Sequence, residues 1–194
     1  RLDHLARECD LSLSTEVLVL SFSRAAVSAV RSRLETRVLA QAEIRTFDSF
    51  ANRVIIDAGE DPKGNFDARI ERAVGLLTDE DADLPMLQDI QHVVLDEVQD
   101  LVGQRAKLVL ALIDRLGDEV GFTALGDPNQ ALYDFQLSPE EQTQRLDVIS
   151  ELRGLANVES TGLQRNFRAR GKDPLAVVEL GSRLREMEIG RAHV

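Results

Sequence analysis

The sequence predicts an α/β fold: a parallel sheet flanked by helices. Two observations carry this. Short apolar runs of strand-forming residues, at Glu16–Ser21, His92–Asp96 and Val120–Leu125, alternate with longer segments of helical periodicity, the pattern of strands joined by crossover helices. The first two runs are apolar at almost every position instead of every second one, as strands buried on both faces are.

In chain order, Arg1–Asp10 places Leu2, Leu5, Ala6 and Cys9 on one helical face. Glu16–Ser21 reads as a buried parallel strand, and Phe22-Ser23-Arg24 as the loop leaving its carboxyl end. A helix is expected from Ala25 to Arg37, a short strand at Ile44–Thr46 and a helix at Phe47–Ile56. Gly59, Pro62 and Gly64 among acids mark a loop. Phe66–Leu77 is amphipathic, Thr78–Asp83 an acidic linker and Pro85–Ile90 a short helix. Residues 57–88 thus read as a small inserted subdomain or loop between two strands of one sheet. After the central strand come a helix at Leu101–Leu116, a strand at Val120–Leu125, a helix at Glu140–Leu152, a weak strand at Asn157–Gly162 and a closing helix at Pro174–Arg185.

Composition narrows the class. With 194 residues, 43% of them hydrophobic, the chain can bury one core or at most two small ones. There is no apolar run of membrane-spanning length and no leader-like start, and the single cysteine, Cys9, leaves no internal disulfide. A cytoplasmic setting is the expectation, with Cys9 as a small buried hydrophobe. The net charge of −11 argues at first against a nucleic-acid partner. Most of it is local: residues 57–100 hold 13 acids and 3 bases. Arg165, Arg168, Arg170 and Lys172 form a separate basic cluster suited to phosphates.

The stretch that organises the chain is His92-Val93-Val94-Leu95-Asp96-Glu97-Val98-Gln99-Asp100, an apolar strand delivering two adjacent carboxylates at its carboxyl end. Ligands of open α/β sheets bind beyond those ends. One acid can hold a hydrated Mg²⁺ while its neighbour orients or deprotonates a water. The same acids would equally suit the positive start of the following helix. A second strand ends in Gly126-Asp127-Pro128-Asn129-Gln130; Gln130 could sense a terminal phosphate and Arg168 neutralise one, although turn and surface roles fit these residues too.

Taken together, Asp-Glu-Val-Gln-Asp at 96–100, Gly-Asp-Pro-Asn-Gln-Ala-Leu-Tyr-Asp-Phe at 126–135 and Leu-Gln-Arg-Asn-Phe-Arg at 163–168 resemble the second, third and fourth motifs of superfamily I DNA helicases of the UvrD/Rep type. Upstream, Val19-Leu20-Ser21-Phe22-Ser23-Arg24-Ala25-Ala26 and Arg45-Thr46-Phe47-Asp48-Ser49-Phe50-Ala51 resemble that family's two single-strand-contacting motifs. The resemblance implies a P-loop NTPase (RecA-like) motor domain over residues 1–56 and 89–162. Residues 163–187 would open the second motor domain or a linking segment; apart from the resemblance, 188–194 read either as a non-native tail or as an ordinary frayed helix end. The resemblance further implies ATP and Mg²⁺ as cofactors, with Asp96 on the metal, Glu97 activating water, and Gln130 and Arg168 at the γ-phosphate. Single-stranded DNA would be the partner, with Phe22, Tyr133 and Phe135 against bases and Ser23 and Thr46 at phosphates. Stacking suits a translocase because every base offers a π-face. Movement would run 3′ to 5′.

The sequence departs from the family in three places. No Gly-x-x-x-x-Gly-Lys-Ser/Thr occurs within residues 1–194, which reads as truncation. Asp48 stands where the family often has histidine, and the 57–88 insertion is short. The rival reading is a non-catalytic helicase-like module that binds DNA or protein. Without the phosphate loop the 194-residue chain is expected to hydrolyse ATP negligibly, and without the strand that precedes that loop in the family it is expected to be marginally stable, since parallel sheets depend on burial of both faces. An ATPase assay with and without single-stranded DNA checks the first expectation, and clear DNA-stimulated turnover would overturn it.

Overall fold

Val17–Ser21 (β1) and His92–Asp96 (β3) lie side by side at the centre of a parallel sheet, with Leu18 beside Val93 and Leu20 beside Leu95. Glu43–Thr46 (β2) pairs with the other edge of β1, and Gly121–Leu125 (β4) with the other edge of β3, giving the order β2-β1-β3-β4. The computed structural model describes residues 2–22, 27–28, 42–127 and 147–162. Within them the helices are α1 (Leu2–Arg7), α2 (Phe47–Asp57), α3 (Phe66–Thr78), α4 (Gly103–Leu116) and α5 (Val148–Gly154), with single 3-10 turns at Pro85–Leu87 and Val98–Asp100.

The continuous apolar runs of β1 and β3 reflect burial on both faces. Alternate residues point to opposite sides of a strand. Leu18, Leu20, Val93 and Leu95 join a large cluster with Phe47, Phe50 and Val54 of α2, Ile70, Ala73 and Leu77 of α3, and Leu108, Val109 and Leu112 of α4. Val17, Val19, Ile44 and Val94 face the other way, onto Leu5, Leu13 and Ala42. β4, the outer described strand beyond β3, is less covered, and its Leu125 is 40% exposed.

The 57–88 stretch contributes α3 to the large cluster alongside α2 and α4. Asn65 caps α3 by accepting from the Ala68 amide at 2.9 Å. Arg115 of α4 donates to the carbonyls of Asp79 and Ala82, both at 2.6 Å, fastening the acidic linker to the helix beneath it. Glu60 in the preceding loop pairs with Arg72 of α3; this hydrogen bond holds the Glu60 carboxyl below the usual carboxylate range.

Four expectations change. Cys9 is exposed, because α1 ends at Arg7 and Cys9 falls in the turn after it, its amide bonded to the His4 carbonyl. Pro85–Ile90 supplies only one 3-10 turn, Pro85–Leu87. The helix expected at 140–152 does not pass through Asp147, which is extended and caps α5 by accepting from the Ile149 and Ser150 amides. Residues 157–162 form no strand: Asn157 adopts φ 60° and the residues after it are largely exposed. Most of the 25–37 helix, residues 140–146 and everything after 162 lie outside the described residues. Among the described residues no helix is long and apolar enough to cross a membrane.

Leu112 has no exposed surface and sits where α4 meets the sheet cluster. Leu112→Ala is therefore expected to lower unfolding free energy by about 2–5 kcal/mol. Ile56→Ala, at a 52% exposed position, is expected to stay within about 0.5 kcal/mol. Urea melts of both variants check the contrast.

Candidate functional site at the carboxyl rim of the sheet

Parallel pairing in this register brings four strand ends level: Ser21 lies beside Thr46, and Asp96 beside Leu125. Neighbouring strands stand about 4.8 Å apart, so residues from four separated stretches of sequence share one rim. Of the sequence-predicted site residues, Phe22, Thr46, Asp96 and Glu97 are described and all lie on this rim. Ser23, Gln130, Tyr133, Phe135 and Arg168 lie outside the described residues.

Asp96 ends β3 half-buried, and the fully buried Ser21 of β1 donates its hydroxyl to Asp96 Oδ2 at 3.1 Å. The strand beside β3 therefore orients the carboxylate that β3 delivers. Among the described residues no three His, Cys, Asp or Glu side chains gather into a metal-binding group. The carboxylates at this end of β3 are Asp96 and the adjacent Glu97, a donor set compatible with Mg²⁺, which keeps several waters and takes one or two carboxylates, with substrate phosphates supplying other ligands.

Glu97 breaks the strand. Its backbone is left-handed, φ 57° and ψ 44°, a conformation that costs a non-glycine residue about 1–2 kcal/mol. Such strain persists where surroundings enforce it. The carboxylate that this turn presents is held by Gln99, only 5% exposed, which the sequence analysis did not single out. Its Nε2 donates to Glu97 Oε2 at 2.6 Å, and its Oε1 accepts the Asp127 backbone amide at 3.1 Å. The orientation of the Gln99 amide follows from its partners, since a carboxylate only accepts and a backbone N–H only donates. Gly126 makes room for this bridge: a Cβ there would stand 2.8 Å from both Gln99 Oε1 and Val98 Cγ2. A glutamine two residues after an acid, with a glycine leaving the next strand, gives the sequence reader no reason to join them.

The β1–β2 half of the rim differs in character. Phe22 is half-buried and packs against the large core cluster, so part of its ring fills the core. Arg105 of α4 approaches that ring, 5.8 Å from guanidinium carbon to centroid, and donates to Asp48 Oδ1 at 2.8 Å. Both ends of this ion pair are about one quarter exposed. Asp48 is thus matched by a cation from a neighbouring helix. Thr46 caps α2, its Oγ1 accepting from the Ser49 amide at 3.1 Å. Its side chain therefore has a structural task at the helix start.

His92 stands at the opposite, amino end of β3, buried and bonded through Nε2 to Thr123 Oγ1 at 2.9 Å. A Cβ at Gly121 would come within 2.7 Å of its ring. The imidazole packs two strands together, far along the strand from the acids.

Residues 60–147 match the UvrD/REP helicase N-terminal domain. No curated protein matches the chain. The matched span contains Asp96, Glu97, Gln99 and Asp127.

Ser21→Ala removes the hydroxyl bonded to Asp96 and leaves the strand otherwise intact. Its expected cost is on the order of 1 kcal/mol, read from chemical denaturation. A change several times larger would mean that Ser21 supports more than this one carboxylate.

Proposed function

We propose that this chain, a UvrD-type helicase sequence by its match over residues 60–147, contributes the first motor domain of an ATP-dependent translocase on single-stranded DNA. The observation that carries this reading is the grouping of the acids that end β3 with the loop that leaves β4, through Gln99. It draws the Asp96–Glu97 pair towards the segment that continues in sequence to Gln130.

In this reading Asp96 holds Mg²⁺, positioned by Ser21. Bound ATP and Mg²⁺ supply the transferable phosphoryl group and the charge that neutralises it. Glu97, one residue further round the turn, orients and deprotonates the attacking water. Gln130 and Arg168 contact the γ-phosphate. Phe22, Tyr133 and Phe135 stack on bases, with Ser23 and Thr46 at the strand's phosphates. The separation of rim chemistry supports this division: acids cluster at β3 and β4, and an aromatic ring backed by a guanidinium lies at β1. Direction of movement, 3′ to 5′, follows from family resemblance alone.

A helicase-like module that binds DNA or protein without hydrolysing ATP is the second reading. It is favoured by the lack of Gly-x-x-x-x-Gly-Lys-Ser/Thr within these 194 residues. The coding sequence upstream of Arg1 separates the two. The motor reading expects a glycine-rich loop ending in Lys-Ser/Thr, and single-stranded-DNA-stimulated ATPase in the protein that carries it. In that protein Glu97→Gln is expected to lower turnover by at least about 100-fold, the lower range for general-base catalysis, with nucleotide binding kept. A start codon with no such loop would sink the motor reading. In the 194-residue chain itself, Phe22→Ala is expected to weaken oligothymidylate binding by roughly 5- to 150-fold, measured by fluorescence anisotropy at fixed salt; unchanged affinity would remove Phe22 from the DNA surface.

A further inference from the structure

We propose that Gln99 is a positioning residue: its side-chain amide ties the Glu97 carboxylate to the backbone after β4, so that the acid and the Asp127 segment hold or move as one unit. The assignment rests on the hydrolytic role proposed for Glu97.

The geometry has three parts. Both ends of the Gln99 side chain are engaged, Nε2 with Glu97 Oε2 at 2.6 Å and Oε1 with the Asp127 amide at 3.1 Å. Gln99 itself is 5% exposed, and the two residues it joins are half-buried. The backbone on the β4 side is shaped to admit it, since a side chain at Gly126 would collide with the Gln99 oxygen and with Val98. Glu97 sits in a left-handed turn immediately after β3, and Gln99 is the described side chain that bonds its carboxylate. A primary amide suits this position because it donates to a carboxylate and accepts from a peptide N–H at the same time. A carboxylate in its place could accept from Asp127 but would repel Glu97. A methionine would fill the space and make neither bond.

One consequence is that a change at Glu97 should be felt at Asp127, and only through Gln99. The test uses the ¹⁵N-labelled 194-residue chain and reads the Asp127 backbone amide by chemical shift and hydrogen exchange. Glu97→Gln is expected to move the Asp127 resonance in the native background, and to leave it unmoved in a Gln99→Met background. Gln99→Met alone should speed exchange of that amide on the order of tenfold. Gln99→Glu should keep its protection, because a carboxylate still accepts from the Asp127 amide. A general loosening of the fold would alter amides throughout α4 and β1, not this pair selectively. The proposal is overturned if Glu97→Gln leaves Asp127 unshifted in the native background, or shifts it equally with and without the Gln99 amide. Should the Gln99 variants fail to fold, the response of Asp127 to Glu97→Gln still decides. These resonances do not depend on nucleotide, so failure of the hydrolytic reading would appear separately, in turnover by the protein carrying a phosphate loop.

Discussion

Burial of β1 and β3 on both faces is the constraint from which the rest of the structure follows. Val17 and Val19 face the small cluster with Leu5 and Leu13, while Leu18 and Leu20 face the helices. Each such side chain contributes about 1.5–3 kcal/mol when fully buried. A slip of one residue would exchange the two sets and present valines to a cavity shaped for leucines. Register is therefore held firmly, and with it the height at which each strand ends. The rim is a consequence of the core: Ser21, Thr46, Asp96 and Leu125 are level because the apolar residues beneath them are paired.

Above that rigid base the chain does something less favourable. Glu97 enters a left-handed turn without glycine's freedom, then a single 3-10 turn leads into α4. A straight continuation of the strand would carry the carboxylate away from β4. The turn brings it within reach of Gln99, and Gln99 reaches the backbone beyond Gly126. Among the described residues the acid is thus fixed by a strained turn and an amide bridge. An arginine there would bring a permanent charge beside the position proposed for Mg²⁺. A neutral amide orients the carboxylate without competing with a cation for its charge.

The other half of the rim shows how a carboxylate can be balanced from a separate element. Asp48 brings a negative charge close to a surface proposed to meet phosphates. Arg105 answers it from α4 and lies beside the Phe22 ring. Partly exposed pairs of this kind contribute little to stability, about 0–1 kcal/mol. Their effect is on local charge. The carboxylate is balanced by a guanidinium from another element, so the character of this surface cannot be read from Asp48 alone.

Periodicity and chemistry in the sequence determined the α/β class, the four described strands, the helices that carry the large cluster and the delivery of Asp96 and Glu97 to a strand end. These are local or nearest-neighbour properties: which positions are apolar, and where a run stops. What periodicity could not reveal was contact between distant side chains. Nothing local joins Ser21 to Asp96, Arg105 to Asp48, or Gln99 to Asp127. The same limit explains the errors at Cys9, where the helix ended one turn early, and at residues 157–162, where apolar content was too low to secure a strand partner. Sequence set the residues that reach the rim. Tertiary packing alone decided which of them touch, because contact there depends on the register of strands whose pairing is fixed by the core.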